Sequence, residues 1–128
     1  MVVRLLTVDV DSWISWDEAV LKSSMPVIVD YWAPWCPWCK RLLPDFDSLS
    51  NEFTGRLAFV KVNVEQAPDI ASRYGVQSLP TLKFICGGRP LAEIVGYLPK
   101  ASLKTQLETM LSNHEDCLAQ SSILKTNI

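Results

Sequence analysis

Charge of either sign is modest in this 128-residue chain: 12 Lys and Arg stand against 14 Asp and Glu, a formal net charge of −2. That balance speaks against nucleic acid or an anionic membrane surface as the main partner. No apolar run approaches the roughly 20 residues that a bilayer span needs. Four cysteines are too few, and too unevenly placed, for a disulfide-stapled scaffold. There is no internal repeat and no low-complexity stretch. The N-terminus lacks the long apolar core of a secretory signal: Arg4, Asp9 and Asp11 interrupt it. These absences predict a protein of the cytoplasm, a reducing compartment where a close pair of cysteines is catalytic more often than structural. What is present is an ordinary globular composition, 48% hydrophobic and 20% charged, long enough for one domain with a real core.

The most informative segment is Trp35-Cys36-Pro37-Trp38-Cys39. Before it, Val27 to Trp32 is a β-branched run suited to a central strand. After it, Lys40-Arg41-Leu42-Leu43-Pro44 starts an apolar pattern of helical period. Two cysteines with two residues between them can close a small ring on the first turn of a helix. A C-x-x-C at a strand-to-helix junction is a redox signature. The free N–H groups and dipole of a helix N-terminus stabilise negative charge, so the first cysteine can be a thiolate near neutral pH.

Strands and helices alternate along the rest of the chain. Val2 to Val8 reads as a first strand. Asp11 or Ser12 caps a helix to about Ser23, with Trp13 and Trp16 as packing residues. A long helix runs from Cys36 to about Phe53, bent by Pro44. Leu57 to Val64 is a strand, and Pro68 to Tyr74 a short helix ended by Gly75. Thr81 to Cys86 and Leu91 to Tyr97 form a hairpin about Gly87-Gly88. An amphipathic helix covers Ala101 to Leu111. The expected division is a domain over residues 1–112 and a polar tail, or loosely docked extension, over 113–128.

This order of elements resembles the thioredoxin family over residues 1–112. The likeness rests on several separated motifs at family-like spacings. Asp30 matches the buried acid on the strand before the active site. Trp32 and Trp35 match the two tryptophans of V-D-Y-W-A-P-W-C. Pro44 matches the proline inside the active-site helix. Lys61, in F-V-K-V-N-V, matches the lysine near the buried acid. Pro80, in Ser78-Leu79-Pro80-Thr81, matches the cis-proline loop, and Gly96 the glycine of the last strand. The fold implied is α/β: a central mixed β-sheet flanked by helices on both faces.

The resemblance implies a thiol–disulfide oxidoreductase that reduces protein disulfides and works as a monomer. Cys36 would attack as thiolate and Cys39 would resolve the mixed disulfide. Asp30 would take the proton from Cys39, and Lys61 would sit near that acid. Trp35, Pro37, Trp38, Leu79, Pro80 and Gly96 would form the surface that meets the substrate. No tightly bound cofactor and no metal are implied. The partners implied are disulfide-containing target proteins and a thioredoxin reductase, drawing on NADPH or ferredoxin, as electron donor.

One motif departs from the family. The usual W-C-G-P-C is W-C-P-W-C here, closer to the C-P-x-C of glutaredoxins and DsbA-type oxidases. Pro37 cannot donate an N–H to the Cys36 sulfur, yet its fixed φ pre-forms the turn. These effects have opposite signs, and potentials within the fold run from about −270 mV for thioredoxin to about −120 mV for DsbA. A thiol oxidase or isomerase and a non-enzymatic binding module therefore stay open as alternatives. Each feature also has a plainer reading. Cys36, Cys39, His114 and Cys117 are formally a zinc set. Asp30 and Lys61 can be solvated surface charges. Cys86 reads as a small buried hydrophobe and Cys117 as a free thiol in the tail.

Overall fold

The computed structural model describes residues 7–118. Five strands form one mixed sheet in the order β1-β3-β2-β4-β5. They are β1 (Thr7–Val10), β2 (Val27–Trp32), β3 (Ala58–Asn63), β4 (Thr81–Cys86) and β5 (Arg89–Val95). β1 and β2 both pair parallel with β3, while β4 is antiparallel to β2 and β5 to β4. The helices are α1 (Trp13–Trp16), α2 (Pro37–Glu52), α3 (Pro68–Arg73) and α4 (Lys100–Asn113). None of them is long and apolar enough to cross a membrane. The expected strand from Val2 begins outside the described residues.

Strand alternation divides the core into two layers. Ile28, Phe59, Leu82, Phe84 and Cys86 pack with Leu42, Phe46 and Leu49 of α2 and Leu103, Leu107 and Met110 of α4. The intervening residues Val27, Val29, Tyr31, Val60, Val62 and Ile85 pack with Trp16, Val20 and Ile70 on the other side. The same alternation puts Asp30 in phase with Ile28, and Lys61 in phase with Phe59. Both therefore belong to the face covered by α2.

Two packing expectations change. Ser12 caps α1 as expected, its hydroxyl accepting from the Ser15 N–H at 3.2 Å. After Trp16 the helix widens into a π-helical turn over Asp17–Leu21, and this shifts the phase of the apolar face. Trp16 is buried against Tyr74, ring centroids 4.8 Å apart, with its Nε1–H donating to the Tyr74 hydroxyl. Trp13 is not a packing residue: it stands 46% exposed.

The second change concerns the other cysteines. Cys86 and Cys117 are neither an isolated buried hydrophobe and a free tail thiol nor part of a zinc set: they form a disulfide. α4 runs on to Asn113, His114 stacks on Phe84 at 5.6 Å, and a turn over 114–116 delivers Cys117 into the core. The region after α4 is thus anchored as far as Leu118, which packs on the same cluster.

Candidate active site

β2 ends at Trp32, and four residues later Cys36 caps α2 in an extended conformation. Pro37 takes the first helical position, where a missing N–H costs nothing and the fixed φ is already helical. The Cys39 N–H donates to the Cys36 sulfur at 3.2 Å. A group that lacks an intrahelical partner at a helix start is thereby turned on the sulfur, where it favours the thiolate. Cys36 and Cys39 are joined in a disulfide, with their Cα atoms 5.2 Å apart. They pack with Ala33, with Trp32, Val64 and Leu79 at the edge of the cluster. Cys36 keeps slight exposure and Cys39 has none. A nucleophile followed by a resolving thiol needs this asymmetry of access.

Asp30 is fully buried, and neither carboxylate oxygen has a hydrogen-bond partner among the described residues. Burial pushes its pKa up to about 8, the positive Lys61 pulls it back down, and Asp47 adds to the rise. The solvent-facing reading of this acid is therefore overturned. Lys61 is Asp30's neighbour across β2 and β3. Its side chain is only 14% exposed, and its ammonium lies 3.7 Å from Asp47 and 3.8 Å from Asp9. It acts on Asp30 through its field rather than by contact.

Beside the cysteines lies a groove of about 350 Å³ lined by Trp38, Leu79, Pro80, Gly96 and Tyr97. The Leu79–Pro80 peptide is cis. The Gly96 N–H donates to the Pro80 carbonyl at 2.8 Å, tying the segment after β5 to the loop before β4. Gly96 makes that tie at φ +94°, a conformation other residues rarely adopt. The Leu79 N–H and carbonyl take no hydrogen bond among the described residues, which leaves them available for strand-like pairing.

The sequence placed Leu79, Pro80, Gly96 and Trp38 at the substrate surface, and they come together here. Trp35 and Pro37 do not join them: both are exposed beside the cysteines, outside the groove wall. The missing wall is Tyr97, whose ring lies 5.2 Å from that of Trp38. Nothing in the spacing marks Tyr97; only its place directly after Gly96 hints at it. The zinc set does not assemble, because Cys117 is bonded to Cys86.

The sequence model of the thioredoxin family matches residues 4–109. The chain belongs to the thioredoxin family. It is 44% identical over 98 residues to the chloroplastic M-type thioredoxin of Spinacia oleracea, covering 77% of this chain and 54% of that one. It is 42% identical over 97 residues to a thioredoxin of Synechocystis sp., covering 76% and 91%. To thioredoxin 1 of Nostoc sp. it is 40% identical, with the same two coverages. The chain spans about half the length of the chloroplastic relatives it matches. Within this thioredoxin frame the contact between Trp38 and Tyr97 is built from the dipeptide that departs from W-C-G-P-C.

Proposed function

We propose that this chain is a thiol–disulfide oxidoreductase that reduces protein disulfides. The observation that carries the reading is the Cys36–Cys39 disulfide at the start of α2, with a backbone N–H on the outer sulfur. In the reduced protein the Cys36 thiolate attacks one sulfur of a target disulfide. A mixed disulfide forms and one target thiolate leaves. Cys39 loses its proton to Asp30, directly or through water, and its thiolate attacks the Cys36 sulfur. That step releases the second target thiolate and restores the Cys36–Cys39 disulfide. Two electrons pass to the target. The buried, high-pKa carboxyl of Asp30 supports its role as base, and Lys61 sets the field around it. Leu79, Pro80 and Gly96 hold an extended target segment against the sulfur.

A reductase must return the electrons, and a thioredoxin reductase fed by NADPH or ferredoxin is the donor that family membership favours. We place the protein, as a monomer, in a reducing aqueous compartment. The plant relatives are named as chloroplastic, while the names of the Synechocystis and Nostoc relatives give no compartment. The Cys86–Cys117 disulfide is compatible with such a compartment, because its burial keeps external thiolates away.

Brief iodoacetamide treatment of the reduced protein, followed by mass mapping, tests the nucleophile. Cys36 is expected to label first; preferential labelling of Cys39 reverses the two roles. Cys39→Ser is expected to trap target proteins on Cys36, and a non-enzymatic module would trap none. Cys36→Ser abolishes turnover in an enzyme and spares a binding module.

The likeness of Cys36-Pro37-Trp38-Cys39 to the C-P-x-C of glutaredoxins and DsbA-type oxidases favours a potential less reducing than that of a W-C-G-P-C thioredoxin. With proline at the first helical position, that residue has no N–H to turn on Cys36, and the Cys39 N–H is the sulfur's only hydrogen-bond donor among the described residues. The usual dipeptide keeps an N–H at this position; its loss by itself destabilises the thiolate and would lower the potential, so the expectation rests on the likeness to C-P-x-C proteins. Replacing Pro37-Trp38 with Gly-Pro is expected to lower the potential by at least about 30 mV, equivalent to about 1.4 kcal/mol for a two-electron couple. Equilibration against glutathione measures it. An unchanged or higher potential would remove the dipeptide from the account of redox poise.

A further inference from the structure

Resting on the oxidoreductase reading, we propose that Arg41 is a specificity-determining residue: it selects target segments that carry a carboxylate side chain beside the disulfide. The Arg41 guanidinium carbon lies 5.5 Å from the ring centroid of Trp38 and 5.6 Å from that of Tyr97. It is therefore held at the groove rim by two aromatic faces. Stacking of this kind orients a guanidinium and leaves its charge intact. The two rings are themselves walls of the groove, so the cation is fixed to the surface a target must cross.

Among the described residues the charge has no carboxylate partner. Lys22, Arg56, Lys61, Lys83, Lys100 and Lys104 all stand within ion-pair distance of carboxylates. Arg73 and Arg89 also stand outside that set, but only Arg41 lies over rings of the groove; among the described residues neither it nor adjacent Lys40 has a carboxylate partner. Both lie in the early turns of α2, where the helix dipole opposes cations and the first turn offers no acid. The contacts of Arg41 within the described fold are aromatic faces, which orient the guanidinium while leaving its charge open to a carboxylate from outside. The chain as a whole is acidic, with a net charge of −2, so this cationic rim next to the reactive sulfur runs against the overall charge.

The groove supplies the other half of the preference. Its walls are Trp38, Leu79, Pro80 and Tyr97, and Leu79 has free backbone groups. The occupant is thus an extended segment of a target protein. It places an apolar side chain between the aromatic wall and the cis-proline loop, and an Asp or Glu within reach of Arg41. A charge at such a rim acts mainly through encounter and orientation, so the preference should be salt-sensitive.

The test uses the intact protein and short disulfide-linked peptides that differ only in Asp, Asn or Lys beside the cysteine. The readout is the ratio of kcat/KM for the Asp peptide over the Lys peptide, which cancels any general change in Cys36 reactivity. For the parent protein the expected ratio is about tenfold in favour of Asp at low salt, falling towards equality at about 0.5 M salt. Arg41→Gln is expected to collapse the ratio, while Lys40→Gln keeps most of it. A ratio near one in the parent, or a preference that survives Arg41→Gln, overturns the proposal, as does an equal collapse with Lys40→Gln. Failure to reduce any of the three peptides would sink the oxidoreductase reading itself, and this inference with it. Reduction of all three without preference sinks the inference alone.

Discussion

Asp30→Asn is expected to make this protein more stable at high pH and slower at resolving its mixed disulfides. The folded-state pKa of Asp30 is about 8 against an ordinary value of 3.8. Because the folded pKa is raised, the native state binds the proton more tightly than the unfolded chain does. Below about pH 4 both states are protonated, and the carboxyl imposes no ionic penalty. As pH rises from 4 to 8 the unfolded chain ionises freely while the native state resists, and stability falls throughout that window. Above 8 the penalty is complete. At 1.36 kcal/mol per pH unit it amounts to roughly 4 kcal/mol at pH 7 and roughly 6 at pH 9. Asparagine has nearly the same shape and never ionises. Urea unfolding should therefore find the variant level with the parent at pH 4 and several kcal/mol more stable at pH 9. A gap that does not vary with pH would mean that Asp30 is ionised cheaply in the fold.

The kinetic half of the same prediction has the opposite sign. A positioned base typically contributes 10²–10⁴-fold to a proton transfer. Losing Asp30 should slow insulin-disulfide reduction about 10²-fold at pH 8, and the rise in rate centred near that pH should vanish. The Cys36 labelling rate should change far less, since Asp30 is proposed to serve Cys39. An unaltered pH profile between about 6 and 9 would exclude the acid from the mechanism. The native state would be more stable with an amide here at neutral pH, so retaining the acid is best understood as a functional cost.

Much of this site is readable from one sequence because its parts are local. Val27 to Trp32 is β-branched and bounded by Pro26, so it reads as a strand and is one, residue for residue. The start of α2 is announced by the C-P-W-C spacing, and Pro37–Glu52 falls within one residue of the expected helix at each end. What escapes the sequence depends on neighbours far along the chain. Tyr97 becomes a groove wall only because the segment after β5 is tied to Pro80 and faces α2 across the groove. Arg41 gains meaning only once the rings of Trp38 and Tyr97 are in place. Trp13 and Trp16 look alike under a 3.6-residue period, and the π-helical turn that follows separates their fates. The family likeness puts Lys61 near Asp30, and the register of β2 and β3 pairs the two, yet its carboxylate partners, Asp9 and Asp47, come from β1 and α2.

The cysteines show the same limit at its sharpest, and they yield the other large expected effect. Cys117→Ala is expected to destabilise the protein by about 3.5 kcal/mol. Cys86 and Cys117 are 31 residues apart in sequence, a spacing that carries no pairing signal. Their Cα atoms come within 6.0 Å because α4 packs back on the sheet through Leu103, Leu107 and Met110, and the turn after it drops Cys117 onto the end of β4. Closing a loop of that length removes unfolded-chain entropy worth about 3.5 kcal/mol at 25 °C on the chain-entropy account. The native contacts around the bond are modest: His114 stacks on Phe84, and Arg89 donates to the Cys117 carbonyl at 3.5 Å. The stabilisation should therefore come mainly from the cross-link. Alanine leaves a buried Cys86 thiol, which behaves as a small hydrophobe and adds no unpaired polar group. The melting temperature should fall by about 10 °C for a chain of this size. Disulfide reduction at 25 °C should persist, because none of the groove or sulfur contacts involves either residue. Thiol titration of the non-reduced parent supplies the control, with no free thiol expected. Two free thiols in the native parent, together with an unshifted melting temperature in the variant, would show that α4 docks by packing alone.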